Sequence, residues 1–250
     1  MLIHKFIDGE KPNMVLIHGV LTPWQIWTPQ IEYFKSNYNV YVIALNSHTE
    51  EEDSFFVSAE AEANEVIELL NKENVTHIDV LCGVSLGGKI SFKIWQSQKI
   101  PINNLIMDGA PLVSCPKIAT KVMCSNYKNI IRKSKARDRK VIENFKKHFL
   151  PEKYLENYLR IADRMTYEAI ENIVNSAFRE ETAKAGSENT RILFIHGTKG
   201  NEILSKKSAR FIKKLIPASK IIYEKGDSHC YKAIYQPRKW IETVSSFLNA

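Results

Sequence analysis

The stretch Ile78-Asp79-Val80-Leu81-Cys82-Gly83-Val84-Ser85-Leu86-Gly87-Gly88 decides the fold. Its first five residues form a short apolar run ending at a glycine, the pattern of a buried strand. Residues 86–98 follow with the spacing of a helix. Between them stands G-x-S-x-G, in the strand–turn–helix setting that gives the pattern meaning. So tight a turn forces the serine into a strained backbone conformation and lifts its hydroxyl above the sheet edge. The positions two before and two after crowd the turn, and glycine is the residue that fits there. The helix beyond opens with unpaired N–H groups and a positive dipole end. Three of the chain's ten glycines fall within these six residues, 83–88.

Working outward, further apolar runs end at turn residues. Residues 14–17, 40–45, 105–107, 192–195 and 221–223 read as strands, and residues 2–7 as an added edge strand. Most are continuous rather than alternating, as expected for parallel strands covered on both faces. Helical patterns lie between them at 58–72, 86–98, 205–215 and 237–248, the last opening on Pro237, which suits a first helical turn. Strand and helix alternation predicts an α/β fold, a doubly wound and mostly parallel sheet. Between Leu112 and Thr190 only helical patterns occur, at 141–149, 154–165 and 167–182. The predicted organisation is a core of residues 1–112 and 191–250, with a helical cap, residues 113–190, inserted after the strand ending near Asp108.

The 250 residues are 44% hydrophobic and 25% charged, ordinary values that exclude a disordered, collagenous or coiled-coil chain. No run approaches the ~20 consecutive apolar residues of a membrane span, and no signal-peptide stretch opens the sequence, so integral membrane association is not expected. Cys82, Cys115, Cys124 and Cys230 show neither CxxC pairing nor metal-ligand spacing, and read as free thiols in a cytoplasmic protein with no bound metal. The net charge of +7 is unevenly spread. Residues 1–112 carry 7 basic and 14 acidic side chains, residues 113–190 carry 16 and 10, and residues 191–250 carry 12 and 4. The densest basic run, 117–147, has 11 Lys and Arg against Asp138 and Glu143. It reads first as a solvated helical face, and second as a positive rim for an anionic substrate or surface. It lacks the Lys/Arg stripe with exposed aromatics of a nucleic-acid binder, and no nucleic-acid partner is expected.

With these landmarks in order, the chain resembles the α/β-hydrolase superfamily, in its serine-nucleophile, capped esterase-like branch, over nearly its whole length. His18-Gly19-Val20 stands where the family places its second oxyanion element. Ser85 sits in the nucleophile elbow. Gly226-Asp227-Ser228-His229 follows the last strand, where the family's histidine belongs, and Pro237, Trp240, Phe247 and Leu248 resemble its closing helix. The resemblance implies a cofactor-free hydrolase in which Ser85 attacks a carbonyl carbon and His229 takes its proton. The backbone N–H groups of Val20 and Leu86 would hold the oxyanion.

The family's usual His-Gly-x-x-Asp is broken here. The run is His196-Gly197-Thr198-Lys199-Gly200-Asn201-Glu202, with glycine at the aspartate position. Glu202 two residues later and Asp108 at the end of the preceding strand are the two candidate acids; a third reading has no conventional acid. Asp227 stands too near His229 in sequence to orient its ring. His18 is expected to shape the oxyanion loop, His196 to be structural, and Cys230 to be a packed thiol. Trp24 and Trp27, beside the oxyanion element, are candidate substrate-binding residues, weighed against simple packing. The implied reaction is cleavage of a small or medium acyl ester, thioester or amide. Its rivals on the same site are a C–C bond hydrolase, a lyase, a cofactor-free haloperoxidase, and a non-catalytic ligand-binding protein.

Overall fold

The computed structural model describes residues 1–250. Seven strands form one sheet: β1 (Leu2–Phe6), β2 (Asn13–Ile17), β3 (Asn39–Ala44), β4 (Ile78–Val84), β5 (Ile102–Asp108), β6 (Arg191–Gly197) and β7 (Lys220–Glu224). Their spatial order is β1-β3-β2-β4-β5-β6-β7. Only β1 runs antiparallel, pairing Leu2 with Ala44 and Phe6 with Val40. The other neighbours are parallel, for example Leu16 with Cys82 and Ile106 with Leu193. The continuous apolar strands are buried accordingly: every residue of β3 is buried, as are the last five of β4.

The helices are α1 (Thr28–Phe34), α2 (Ala59–Lys72), α3 (Leu86–Ser97), α4 (Lys117–Lys135), α5 (Arg139–His148), α6 (Leu155–Arg164), α7 (Tyr167–Ala177), α8 (Ile203–Leu215), α9 (Tyr231–Tyr235) and α10 (Pro237–Leu248). Local chemistry sets several of their starts. Ser58, Asp138 and Thr166 each accept the backbone N–H three residues on, capping α2, α5 and α7.

Helices α4 to α7 all lie between β5 and β6, with no strand among them. They share the apolar core of the sheet rather than building a separate one: Ile131, Phe145, Tyr158, Ile161 and Ile170 join the same buried cluster as the strands. They dock on the chain that leaves β3. Asn157 donates to Glu50, Asn172 to the Phe56 carbonyl, and Ser176 accepts from the Ala59 N–H. Since β2 to β7 are parallel, this puts the helical segment over the end of the sheet where β4 and β5 finish.

One buried ion pair anchors both ends of that segment. Lys89, on α3 and 1% exposed, lies 3.1 Å from the equally buried Glu181. Its Nζ donates to the carbonyl of Pro111, where the segment begins, and to those of Ala177 and Arg179, where it ends. The other Glu181 oxygen receives Lys93 at 2.9 Å. Burial pulls the Lys89 ammonium down to about 8, against the pull of Glu181. Removing Lys89 leaves the buried Glu181 with Lys93 alone and takes the donor from three carbonyls, so Lys89→Met is expected to cost about 3 kcal/mol of unfolding free energy. Urea titration at pH 7 measures it; a loss below about 1 kcal/mol would show that the anchor is dispensable.

Candidate active site

The turn after β4 is the strained one the glycine pattern predicts. Ser85 adopts φ 52 and ψ −118, in the left-handed half of the map. The strain is held from below, where the Ser85 N–H donates to the Asp108 carbonyl at 2.8 Å. A Cβ on Gly83 would collide with the Gly87 carbonyl, and one on Gly87 with the carbonyls of Ile17 and His18. The two flanking glycines therefore let the elbow close on itself and on the end of β2.

Three side chains from distant parts of the sequence meet there. His229 Nε2 lies 2.9 Å from Ser85 Oγ. On the other side of the ring, Nδ1 is hydrogen-bonded to Glu202 Oε1. Glu202 is buried, and its second oxygen accepts the Gly197 N–H at 3.2 Å. Ser85 is half-buried and the His229 side chain 33% exposed, so the serine–imidazole pair is partly accessible to solvent. The ring packs on Gly109, where a Cβ would stand 2.7 Å from His229 Cε1.

Asp108, the rival acid, is turned away from the histidine. Trp240 Nε1 donates to its Oδ2 at 3.1 Å. Burial, with the Glu202 and Glu224 carboxylates nearby, holds its carboxyl well above the ordinary range. The reason is topological: β5 ends beneath the elbow, whereas Glu202 is carried up by a short 3-10 turn, Gly200–Glu202, after β6. Cys230 is packed, its thiol donating to the Asp108 carbonyl at 3.3 Å, and burial raises it well above a free thiol.

The expectation that both tryptophans meet substrate is corrected for Trp27. Trp27 is fully buried against Trp240, with ring centroids 5.4 Å apart. Trp24 stacks on His4 of β1 at 4.0 Å. Trp27 thus serves packing, whereas Trp24 keeps part of its surface accessible, and a sequence read one residue at a time carries no sign of which way either faces.

That loop is braced by two histidines, one anticipated and one missed. Gly19 abuts the elbow, since a Cβ there would sit 3.2 Å from Ser85 Cβ. His18 Nδ1 donates to the Gly19 carbonyl at 2.8 Å while its Nε2 accepts the Leu45 N–H at 3.1 Å. His48 mirrors it: Nδ1 donates to the Asn46 carbonyl and Nε2 accepts the Leu21 N–H, both at 3.1 Å. A carbonyl on one nitrogen and an N–H on the other fix both rings as neutral imidazoles. The Leu21 contact pins the chain just after Val20, the candidate oxyanion donor, with Leu21 itself at φ 56. Nothing local to His48 signals this, because its partner lies 27 residues away.

Burial lowers His18 to about 3 and His48 to about 4. An unfolded histidine takes its proton near 6.5, so the unfolded chain binds more protons throughout the window between. Stability is therefore lost as pH falls below about 6.5, at up to about 1.4 kcal/mol per pH unit for each ring. His48→Gln removes one of these contributions. The stability gap between the wild-type chain and this variant, measured by urea titration, is expected to narrow from pH 7 to pH 5; a constant gap would contradict the assignment.

No protein-family model matches the sequence. Among solved structures, an alpha/beta hydrolase family protein from Desulfitobacterium hafniense superposes with a TM-score of 0.75 at 20% identity, covering 99% of this chain and 100% of that one. A carboxylesterase of Nitrososphaera gargenis gives 0.75 at 16% identity, covering 99% and 93%. The chain has the α/β-hydrolase fold. One curated relative, the (E)-2-((N-methylformamido)methylene)succinate hydrolase of Acinetobacter baylyi, is 34% identical over 92 residues, 35% of this chain. The match spans about a third of that relative's length (34%). The α/β-hydrolase fold accounts for the sheet order and for the elbow at the end of β4. Separately, no helix is long and apolar enough to cross a membrane.

Proposed function

We propose that the chain is a serine hydrolase that cleaves a carboxylic ester, thioester or amide of a small or medium acyl substrate through a Ser85 acyl-enzyme. One observation carries this reading: a hydroxyl at 2.9 Å from an imidazole whose other nitrogen meets a buried carboxylate. With Nδ1–H donating to Glu202, Nε2 is the free base facing Ser85 Oγ. As Oγ bonds to the carbonyl carbon, its proton passes to Nε2, and Glu202 stabilises the imidazolium. The carbonyl oxygen becomes an oxyanion beside the N–H groups of Val20 and Leu86. Loss of one such donor typically costs about 3 kcal/mol of barrier. Collapse of the intermediate breaks the acyl–heteroatom bond, and the imidazolium proton leaves with the alcohol, thiol or amine. Water, deprotonated by the same imidazole, then attacks the acyl carbon and frees Ser85.

Helices α4 to α7 act in this reading as a cap over the elbow, confining the acyl group. The test is a panel of p-nitrophenyl esters of increasing chain length, with small thioesters and amides beside them. The curated relative adds a substituted succinate amide to that panel. Turnover of at least one class, together with covalent labelling by a fluorophosphonate, is the expected result. Neither turnover nor labelling would favour the ligand-binding alternative.

A further inference from the structure

A second cleft, of about 620 Å³, opens between α8, the edge strand β7 and the loop 197–202. Its volume is that of a small-molecule site. Four cations line it: Lys199 on the loop, and Lys206, Arg210 and Lys213 from one stripe of α8. Lys213 is engaged with the Ser219 carbonyl. Lys199, Lys206 and Arg210 have no carboxylate within 4.0 Å, and unlike the unpaired cations of the run 117–147 they line one cleft together with Lys213. The one acid in the wall, Glu202, is already committed to His229 and the Gly197 N–H. The cleft is thus a concentration of positive charge without a counter-ion, in a segment carrying 12 basic and 4 acidic residues.

Four apolar side chains, Ile203, Ala209, Ile221 and Tyr223, share the lining with His196 and Thr198, and two of the four are well exposed. Tyr223 is 70% exposed and Ile203 60%, two of the most exposed large hydrophobic side chains in the chain. An exposed ring beside unneutralised cations matches a ligand that joins a planar apolar body to several negative charges. A monocarboxylate would neutralise one of the cations; a di- or triphosphate reaches several, and a guanidinium binds phosphate oxygens in pairs. We propose that this cleft binds a nucleotide, its phosphates held by Lys199, Lys206 and Arg210 and its base lying on Tyr223. The site is separate from Ser85 and independent of the hydrolytic reading, sharing with it only the loop that carries Glu202.

Isothermal titration of the whole chain with ADP, pyrophosphate and adenosine at 0.15 M salt tests it, a strength at which loose surface attraction is screened. Saturable binding of one ADP per chain is expected. The surface double variant Lys206→Glu with Arg210→Glu is expected to weaken ADP by at least about tenfold. Tyr223→Ala is expected to weaken ADP about tenfold while leaving pyrophosphate within about twofold. No saturable ADP binding, or ADP binding undiminished in the double variant, overturns the proposal. Pyrophosphate bound as tightly as ADP overturns the placement of the base. Unchanged circular dichroism and unfolding midpoints in the variants exclude misfolding as the cause of a loss.

Discussion

Ser85→Ala is expected to lower ester turnover by about 10⁵- to 10⁶-fold and to abolish fluorophosphonate labelling. The size of the effect follows from the geometry. The serine hydroxyl is the group presented at the strained bend against the imidazole, and alanine leaves His229 as a base with no hydroxyl to deprotonate. Binding and the oxyanion donors remain, so a residual acceleration over water survives. The variant keeps the strained φ, and its unfolding midpoint should stay close to that of the parent. Unchanged labelling or turnover would remove the hydrolytic proposal, since the one other nucleophile nearby, the Cys230 thiol, is buried and kept protonated.

Glu202→Gln is expected to cost about 10⁴ in turnover with a much smaller change in KM. The glutamine removes the charge that stabilises the imidazolium. It also presents an amide able to donate to Nδ1, which favours the wrong tautomer. Asp108→Asn is the contrasting variant. Its carboxyl is held by Trp240 and shielded from the imidazole, so turnover should stay within about tenfold of the parent, with the loss appearing in stability instead. If Asp108→Asn removed turnover while Glu202→Gln spared it, the orienting acid would belong to β5.

The outcome at these two carboxylates shows what the sequence could and could not convey. The strands were legible because a parallel sheet buried on both faces needs unbroken apolar runs, and 14–17, 40–45 and 192–195 have no other use. The elbow was legible because close backbone approach admits only glycine at 83 and 87. Sequence leaves the acid open between Glu202, Asp108 and no conventional acid, because its identity rests on how the loop after β6 rises. Gly200 occupies the family's aspartate position, and the 3-10 turn that lifts the longer Glu202 side chain to the ring leaves no local pattern. His48 and Lys89 were missed for a related reason: their partners lie 27 and up to 92 residues away in sequence. Lys89 did leave one sign, a lysine inside a helix whose other positions near it are almost all apolar or small. Helix α1 and the limits of α4 went unread. Polar faces and loop-like composition hide helices whose partners come from elsewhere in the fold.

The Lys89 ammonium has a further consequence for how this chain can be altered. Because one nitrogen gathers the carbonyls of Pro111, Ala177 and Arg179, the polypeptide departs for its helical excursion and returns at almost the same point. Both stems are therefore cut loose by one substitution, whereas the interior the helices share with the strands means that a graft of foreign helices must also supply matching side chains at 131, 145, 158, 161 and 170.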